Sequence, residues 1–363
     1  MHDWLSLAKE IKHWATELGF QQAGISAGTL AKDEAHLKRW LKEGRHGSMD
    51  YMAAHGDKRS RPDELVPGTV RIISVRMDYG VDDDETCWGT LADGSRAYVA
   101  RYALGRDYHK VIRHRLQQLA DRITKRVGAF GYRAFVDSAP VLERALARDA
   151  GLGWIGKNTC TINTRAGSWF FLGELYTDLP LPLDTPATEH CGTCRRCIDV
   201  CPTQAIVAPF ELDARKCISY LTIENKGSIP EALRKPIGNR IFGCDDCQLV
   251  CPWNKFAERH TVPDFDARHG LDSASLLELF AWTEDAFLRR TEGSAIRRTG
   301  HIGWLRNIAV ALGNAPHHAS IVAALDARRD HESEIVREHV AWALAEQRAK
   351  ASAGQQPQIT LLP

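Results

Sequence analysis

Two stretches decide the reading: Cys191-Gly192-Thr193-Cys194-Arg195-Arg196-Cys197-Ile198-Asp199-Val200-Cys201-Pro202, and Cys244-Asp245-Asp246-Cys247-Gln248-Leu249-Val250-Cys251-Pro252. The first has the spacing C-x2-C-x2-C-x3-C-P, and the second repeats its latter part. Three thiolates so spaced wrap three corners of a 4Fe-4S cube, while the cysteine before proline ligates the other cluster. By that crossing rule Cys191, Cys194, Cys197 and Cys251 hold one cluster. Cys201, Cys244 and Cys247 hold the second, and Cys217, standing between the runs, most simply supplies the missing fourth ligand. Paired C-x2-C motifs also suit tetrahedral zinc, but zinc gives no reason for runs ending in Cys-Pro. Cys87 and Cys160 lie outside the pattern and receive no role.

Outward from this centre, the stretch Leu179 to Pro186 carries three prolines and reads as a linker. Before it, helical and extended segments alternate. Trp4 to Leu18 places Leu7, Ile11, Trp14, Ala15 and Leu18 on one helix face, and Val111 to Val127 does the same with Ile112, Leu116, Leu119 and Ile123. Strands are expected at Arg71–Val75, Arg133–Val136 and Trp169–Leu172. After Ala274 two helical stripes, Ile302 to Leu312 and Ile335 to Leu344, suggest a HEAT-like pair. The expected class is therefore α+β, with four segments. These are an α/β domain over 1–183, a ferredoxin-like two-cluster domain over 184–273, a HEAT-like helical region over 274–350, and a disordered tail over 351–363.

The 363-residue chain has 44% hydrophobic and 26% charged residues and a formal charge of +1. Those values fit a globular protein, and no apolar stretch is long enough to cross a bilayer. No global positive field announces a nucleic acid, so any such surface must be local. The N-terminus lacks the basic start and apolar core of an export signal, which points to the cytoplasm. Ten cysteines in such a chain favour metal ligation over disulfides.

Beyond the cysteines, Val136-Asp137-Ser138-Ala139-Pro140-Val141-Leu142-Glu143-Arg144 and Ala150-Gly151-Leu152-Gly153-Trp154-Ile155-Gly156-Lys157-Asn158-Thr159 resemble the epoxyqueuosine reductases. So do Gly105-Arg106-Asp107-Tyr108-His109, Cys217 to Thr222, and Ile237 to Cys244, and the resemblance runs from Trp4 to Glu346. It implies a cobalamin-dependent enzyme that reduces epoxyqueuosine at the tRNA wobble position to queuosine, with electrons from the clusters and Asp137 as proton donor. It also implies cobalamin contacts near Arg59, Asp137, Thr161 and Leu172, and tRNA contacts at Lys226, Asn239, Arg240, Arg297 and Arg298. Arg306, Arg289 and Arg290 are further basic candidates. The chain has no Asp-x-His-x-x-Gly run, so cobalt is expected to lack a protein histidine below it.

The residues alone leave other readings open. Asp137 could be a helix N-cap, since Pro140 would fall in the first turn of the next helix. The glycines at 151, 153 and 156 follow a helix, where a dinucleotide loop would follow a strand. They are expected to end that helix and let backbone approach the corrin ring. Two other functions compete: a corrinoid reductase of a small molecule, similar to a dehalogenase, and a ferredoxin-type carrier with an interaction module. The first would more often be exported and does not explain the C-terminal helices. The second leaves the N-terminal region without a task. A monomer is expected, with an electron donor the sequence does not identify.

Overall fold

The computed structural model describes residues 3–80 and 84–354. Asp3 accepts the backbone N–H groups of Leu5 and Ser6 and so caps α1 (Trp4–Glu17), which buries Leu7, Ala8, Ile11 and Ala15. After it the chain enters β1 (Gln22–Ser26), and β2 (Arg71–Asp78) is buried along almost its whole length. The longest helix of this region, α2 (Tyr108–Val127), is capped by Asp107 and buries Val111, Ile112, Leu116, Leu119 and Ile123 on one stripe. Then come β3 (Tyr132–Phe135), the short α3 (Glu143–Asp149) and β4 (Phe170–Thr177).

The four strands form one sheet in the order β1-β2-β4-β3, antiparallel throughout. The expected α/β character of residues 1–183 is thus corrected: the sheet has no parallel βαβ crossover and is of the α+β kind. Helices α1 and α2 lie against it, and α3 packs on β1, β2 and β4. Pleating sends Gly173 toward Ile112 and Leu116 of α2, so its neighbour Glu174 points to the opposite face. That face carries Ile72, Phe135 and Tyr176, packed with Leu30, Val141, Ala145 and Leu146.

The chain divides into two compact units, each built from separate stretches. The first comprises Met1–Asp82, Gly105–Cys217 and Asp245–Asp266, and the second Asp83–Leu104, Ile218–Cys244 and Ala267–Pro363. Sequential boundaries at 183 and 273 do not coincide with these units.

The second unit is mainly helical, with α4 (Gly300–Asn314), α5 (Ala319–Asp326) and α6 (Glu334–Gly354). Along α4 the residues Leu305, Ile308, Ala309 and Leu312 are fully buried, whereas Ile302 is 44% exposed and leaves the expected stripe. Gly313 is required where α4 meets α6, because a Cβ there would stand 2.5 Å from the Trp342 ring and 3.0 Å from the Ala343 Cα. Helix α6 continues to Gly354, past the start of the expected tail, and 355–363 lie outside the described residues. Among the described residues no helix is long and apolar enough to cross a membrane.

Candidate active site

In the first unit β3 ends at Phe135, and two residues on Asp137 adopts φ 48° in the left-handed region, which the short polar aspartate tolerates better than most residues. Its backbone N–H donates to the Glu143 carboxylate in the first turn of α3. The N-cap of α3 is Leu142, so the capping reading of Asp137 is overturned. The Asp137 side chain is 48% exposed, and its Oδ2 accepts the Tyr108 hydroxyl at 2.5 Å. The same oxygen stands 3.4 Å from His109 Nε2, while His109 Nδ1 lies 2.7 Å from Asp107 Oδ1.

Burial works against charge on His109, but the carboxylates of Asp107 and Asp137 outweigh it and raise its pKa to about 9. Burial likewise works against the Asp107 carboxylate, yet hydrogen bonding to and charge on His109 hold its pKa below the ordinary value. The Tyr108 ring is stacked between His109 and Phe171, with centroids 4.1 Å from each. Beneath Asp137, Glu174 is completely buried on β4, where burial and the neighbouring Glu143 push its pKa well up. Burial and the charge of Asp137 raise Glu143 to about 8, against a lowering hydrogen bond from Glu174. Sequence reasoning gave Tyr108, His109 and Glu143 no role, although all three stand inside the matched motifs. Glu174 was missed because it sits amid apolar strand residues.

The four expected cobalamin contacts gather around α3. Asp137 precedes it. Arg59 is 6% exposed, donates to the carbonyls of Tyr51 and Met52 at 2.7 and 3.2 Å, and feels the charge of Glu143, so it is not a solvated arginine. Leu172 packs on Ala147, Ala150 and Leu152 at the far end of the helix. Thr161 pairs with Ile155 in a two-stranded ladder, and among the described residues its buried Oγ1 has no hydrogen-bond partner. Gly151, at φ 77°, follows the end of α3 as expected. Gly153 makes room for the protein's own backbone, because a Cβ there would stand 2.4 Å from the Ile162 carbonyl oxygen.

The segment leaving α3 runs directly to the cysteines. A cavity of about 380 Å³ is lined by Cys191, Cys194, Cys197 and Cys251, with Lys157 and Trp253 at its walls. These are the four thiols that the crossing rule groups together. Lys157 donates to the carbonyls of Gly192 and Cys194, and Trp154 Nε1 lies 3.5 Å from Cys191 Sγ. Burial and neighbouring thiols push Cys197 and Cys251 up to about 11, so metal binding there must displace protons. Among the described residues no three His, Cys, Asp or Glu side chains converge as ligands of a single ion would.

Of the remaining cysteines, Cys201 accepts the Ala205 N–H at 3.2 Å, and Cys217 follows a tight turn at Ala214–Lys216. Cys247 lies in the short helix Asp246–Leu249, next to Cys160, whose pKa is lowered by a hydrogen bond from it. Cys160, given no role from sequence, therefore touches an expected ligand. Cys244 closes the middle stretch of the second unit, just after the strand Arg240–Phe242.

The expected RNA contacts all belong to the second unit. Lys226 donates to the carbonyls of Ile223 and Arg298, while Arg298 pairs with Glu224 at 2.7 Å. Arg297 is exposed beside them, and Arg240 donates to the Ile237 carbonyl. Two expectations need correction. Asn239 is 4% exposed, and its amide donates to the carbonyls of Thr90, Asp93 and Arg96, so it knits loops together. Arg306 is 1% exposed and donates to the carbonyls of Asn225, Gly227 and Leu221, because these turn carbonyls need a buried donor.

Comparison with known proteins agrees with this arrangement. Residues 190–254 match a family described as "4Fe-4S double cluster binding domain", and 59–138 match "Epoxyqueuosine reductase QueG, DUF1730". The two clusters are thus 4Fe-4S centres. An epoxyqueuosine reductase of Xanthomonas campestris is 69% identical, over 93% of this chain and 96% of that protein. One from Pseudomonas aeruginosa is 64% identical, over 93% and 94% respectively. A solved epoxyqueuosine reductase bound to an epoxyqueuosine-modified tRNA stem loop is 28% identical with TM-score 0.85, covering 97% of this chain and 95% of that one. Another, from Bacillus subtilis, has an aspartate catalytic loop swung out of the active site; it is 27% identical with TM-score 0.86, over 98% and 95%. With identity this high over nearly its whole length, the chain belongs to the epoxyqueuosine reductase family.

Proposed function

We propose that this protein reduces epoxyqueuosine in tRNA to queuosine, the last step of queuosine biosynthesis, as a cytoplasmic monomer supplied by a separate electron donor. One observation carries the reading: a single stretch, Asp137 to Ile162, joins the clamped Asp137 to the cavity that four cluster cysteines line. Cys191, Cys194, Cys197 and Cys251 hold one 4Fe-4S cluster, and by the sequence rule Cys201, Cys217, Cys244 and Cys247 serve the other.

Cobalamin fits the residues around α3. The buried Thr161 hydroxyl, unpaired among the described residues, is a donor or acceptor awaiting a partner, with Leu172 of β4 packed on residues at the end of α3 and Arg59 feeling the charge of Glu143 at its start. When bound, cobalamin supplies a cobalt centre that can be reduced, and the clusters supply single electrons. Removing the epoxide oxygen to leave an alkene consumes two electrons and two protons and releases water. Asp137 delivers a proton to the leaving oxygen, and its φ of 48° together with the Tyr108 hydroxyl holds the carboxyl at the loop surface.

Residues 1–183, 184–273 and 274–350 act as catalytic, electron-supply and HEAT-like RNA-holding segments. In the last two, Lys226, Arg240, Arg297 and Arg298 contact phosphates, and buried Asn239 fixes the turn that presents Arg240. The test is complementation of a bacterial strain lacking its own epoxyqueuosine reductase. Queuosine should reappear in its tRNA nucleosides, and persistent epoxyqueuosine with the protein expressed would refute the proposal.

A further inference from the structure

We infer that Asp107 and His109 form a proton relay that recharges Asp137 between turnovers. The inference rests on Asp137 being the proton donor. An aspartate that is 48% exposed and has given up its proton must regain one each cycle, and His109 Nε2 faces its Oδ2 at 3.4 Å. On the other side of the ring, Nδ1–H donates to Asp107 Oδ1 at 2.7 Å. Asp107 is itself fixed as the cap of α2, accepting the His109 backbone N–H at 3.1 Å. The ring is therefore held from both ends and stacked on Tyr108, which binds the same Asp137 oxygen.

The step balances simply. The Nε2–H bond of the imidazolium breaks, an O–H bond forms at Asp137 Oδ2, and the neutral ring keeps its Nδ1–H on Asp107. Solvent then returns a proton to Nε2, since the His109 side chain is 21% exposed. No electron moves. The groups facing this chain are Asp107 and Lys110 on α2, the Tyr108 hydroxyl, Asp137 on its loop, and Glu143 behind it. Burial alone would discharge such a histidine; the two carboxylates keep it charged near neutral pH.

The test uses cluster- and cobalamin-loaded protein, epoxyqueuosine tRNA and a strong reductant. Wild-type turnover should fall as pH rises through about 9, where His109 loses its proton. His109→Gln should lower neutral-pH turnover by about tenfold or more, lose that alkaline limb, and regain rate as imidazole is added. Iron content and melting temperature must match the wild type. A second readout is independent of turnover: NMR titration of labelled histidines in the oxidised holoprotein should contain one imidazole of raised pKa that drops in Asp107→Asn and in Asp137→Asn.

Unchanged His109→Gln turnover, a loss that imidazole does not restore, or no raised imidazole would overturn the relay. Were Asp137→Asn inactive and His109→Gln normal, only the relay would fall. Were Asp137→Asn active while His109→Gln was impaired and rescued, the role of Asp137 would fall with it.

Discussion

Asp137 is the residue on which sequence and structure pull hardest in different directions. From sequence, an aspartate three positions before a proline is a good cap, and only the family resemblance argued otherwise. The structure removes the cap and puts a hydroxyl, an imidazole and the half-buried Glu143 carboxylate around it instead. Only Glu143, six residues on, is local; Tyr108 reaches the site from 29 residues before Asp137, and Glu174 lies still further along the chain on the other side, so the grouping could not be read from local sequence. Asp137→Asn keeps the shape but cannot deliver a proton, so turnover should fall by about 10²- to 10⁴-fold while iron content and tRNA binding persist. Retained turnover above about a tenth would remove the residue from the chemistry.

The neighbouring acids carry a pH signature of their own. Burial raises the pKa of Glu174 and Glu143, so the folded state binds their protons more tightly than the unfolded chain does. Their contribution to stability is complete below the unfolded value of about 4.3 and is lost as pH climbs through the raised folded values. Melting temperature should therefore decline between about pH 5 and about pH 8, and Glu174→Gln should flatten that decline. Parallel curves for the two proteins would mean that the pair does not titrate in this range.

At the scale of elements, strongly periodic stretches were legible and short ones were not. The helices 4–17 and 108–127 and the strand 71–78 have long apolar patterns that burial then uses. The strand Gln22–Ser26 was missed because Gly24 and two polar residues dilute its pattern, and the antiparallel pairing that welcomes it is a long-range choice. The basic helices teach the same lesson, since a run of arginines does not say which are solvated. Arg306 is part of the core, and Arg306→Ala should destabilise the protein by about 3 kcal/mol or more by stranding buried carbonyls. Arg297→Ala with Arg298→Ala should leave melting nearly unchanged, weaken tRNA binding and flatten its salt dependence. A salt slope equal to the wild type would place the phosphate contacts elsewhere.

For the whole molecule, cysteine spacing alone grouped the four thiols that the structure gathers around one cavity, because cluster geometry dictates covalent spacing. Unit boundaries were not legible, since each unit draws on stretches far apart in the chain. Anaerobically prepared protein should contain about eight irons, and Cys197→Ser should remove about half of them. Stoichiometric zinc without iron would refute that reading. The most direct measurement is mass analysis of tRNA nucleosides after incubation with the purified, cluster-loaded protein, cobalamin and a strong reductant. Epoxyqueuosine should lose one oxygen and become queuosine; epoxyqueuosine left intact by protein with full iron and bound cobalamin would contradict the account.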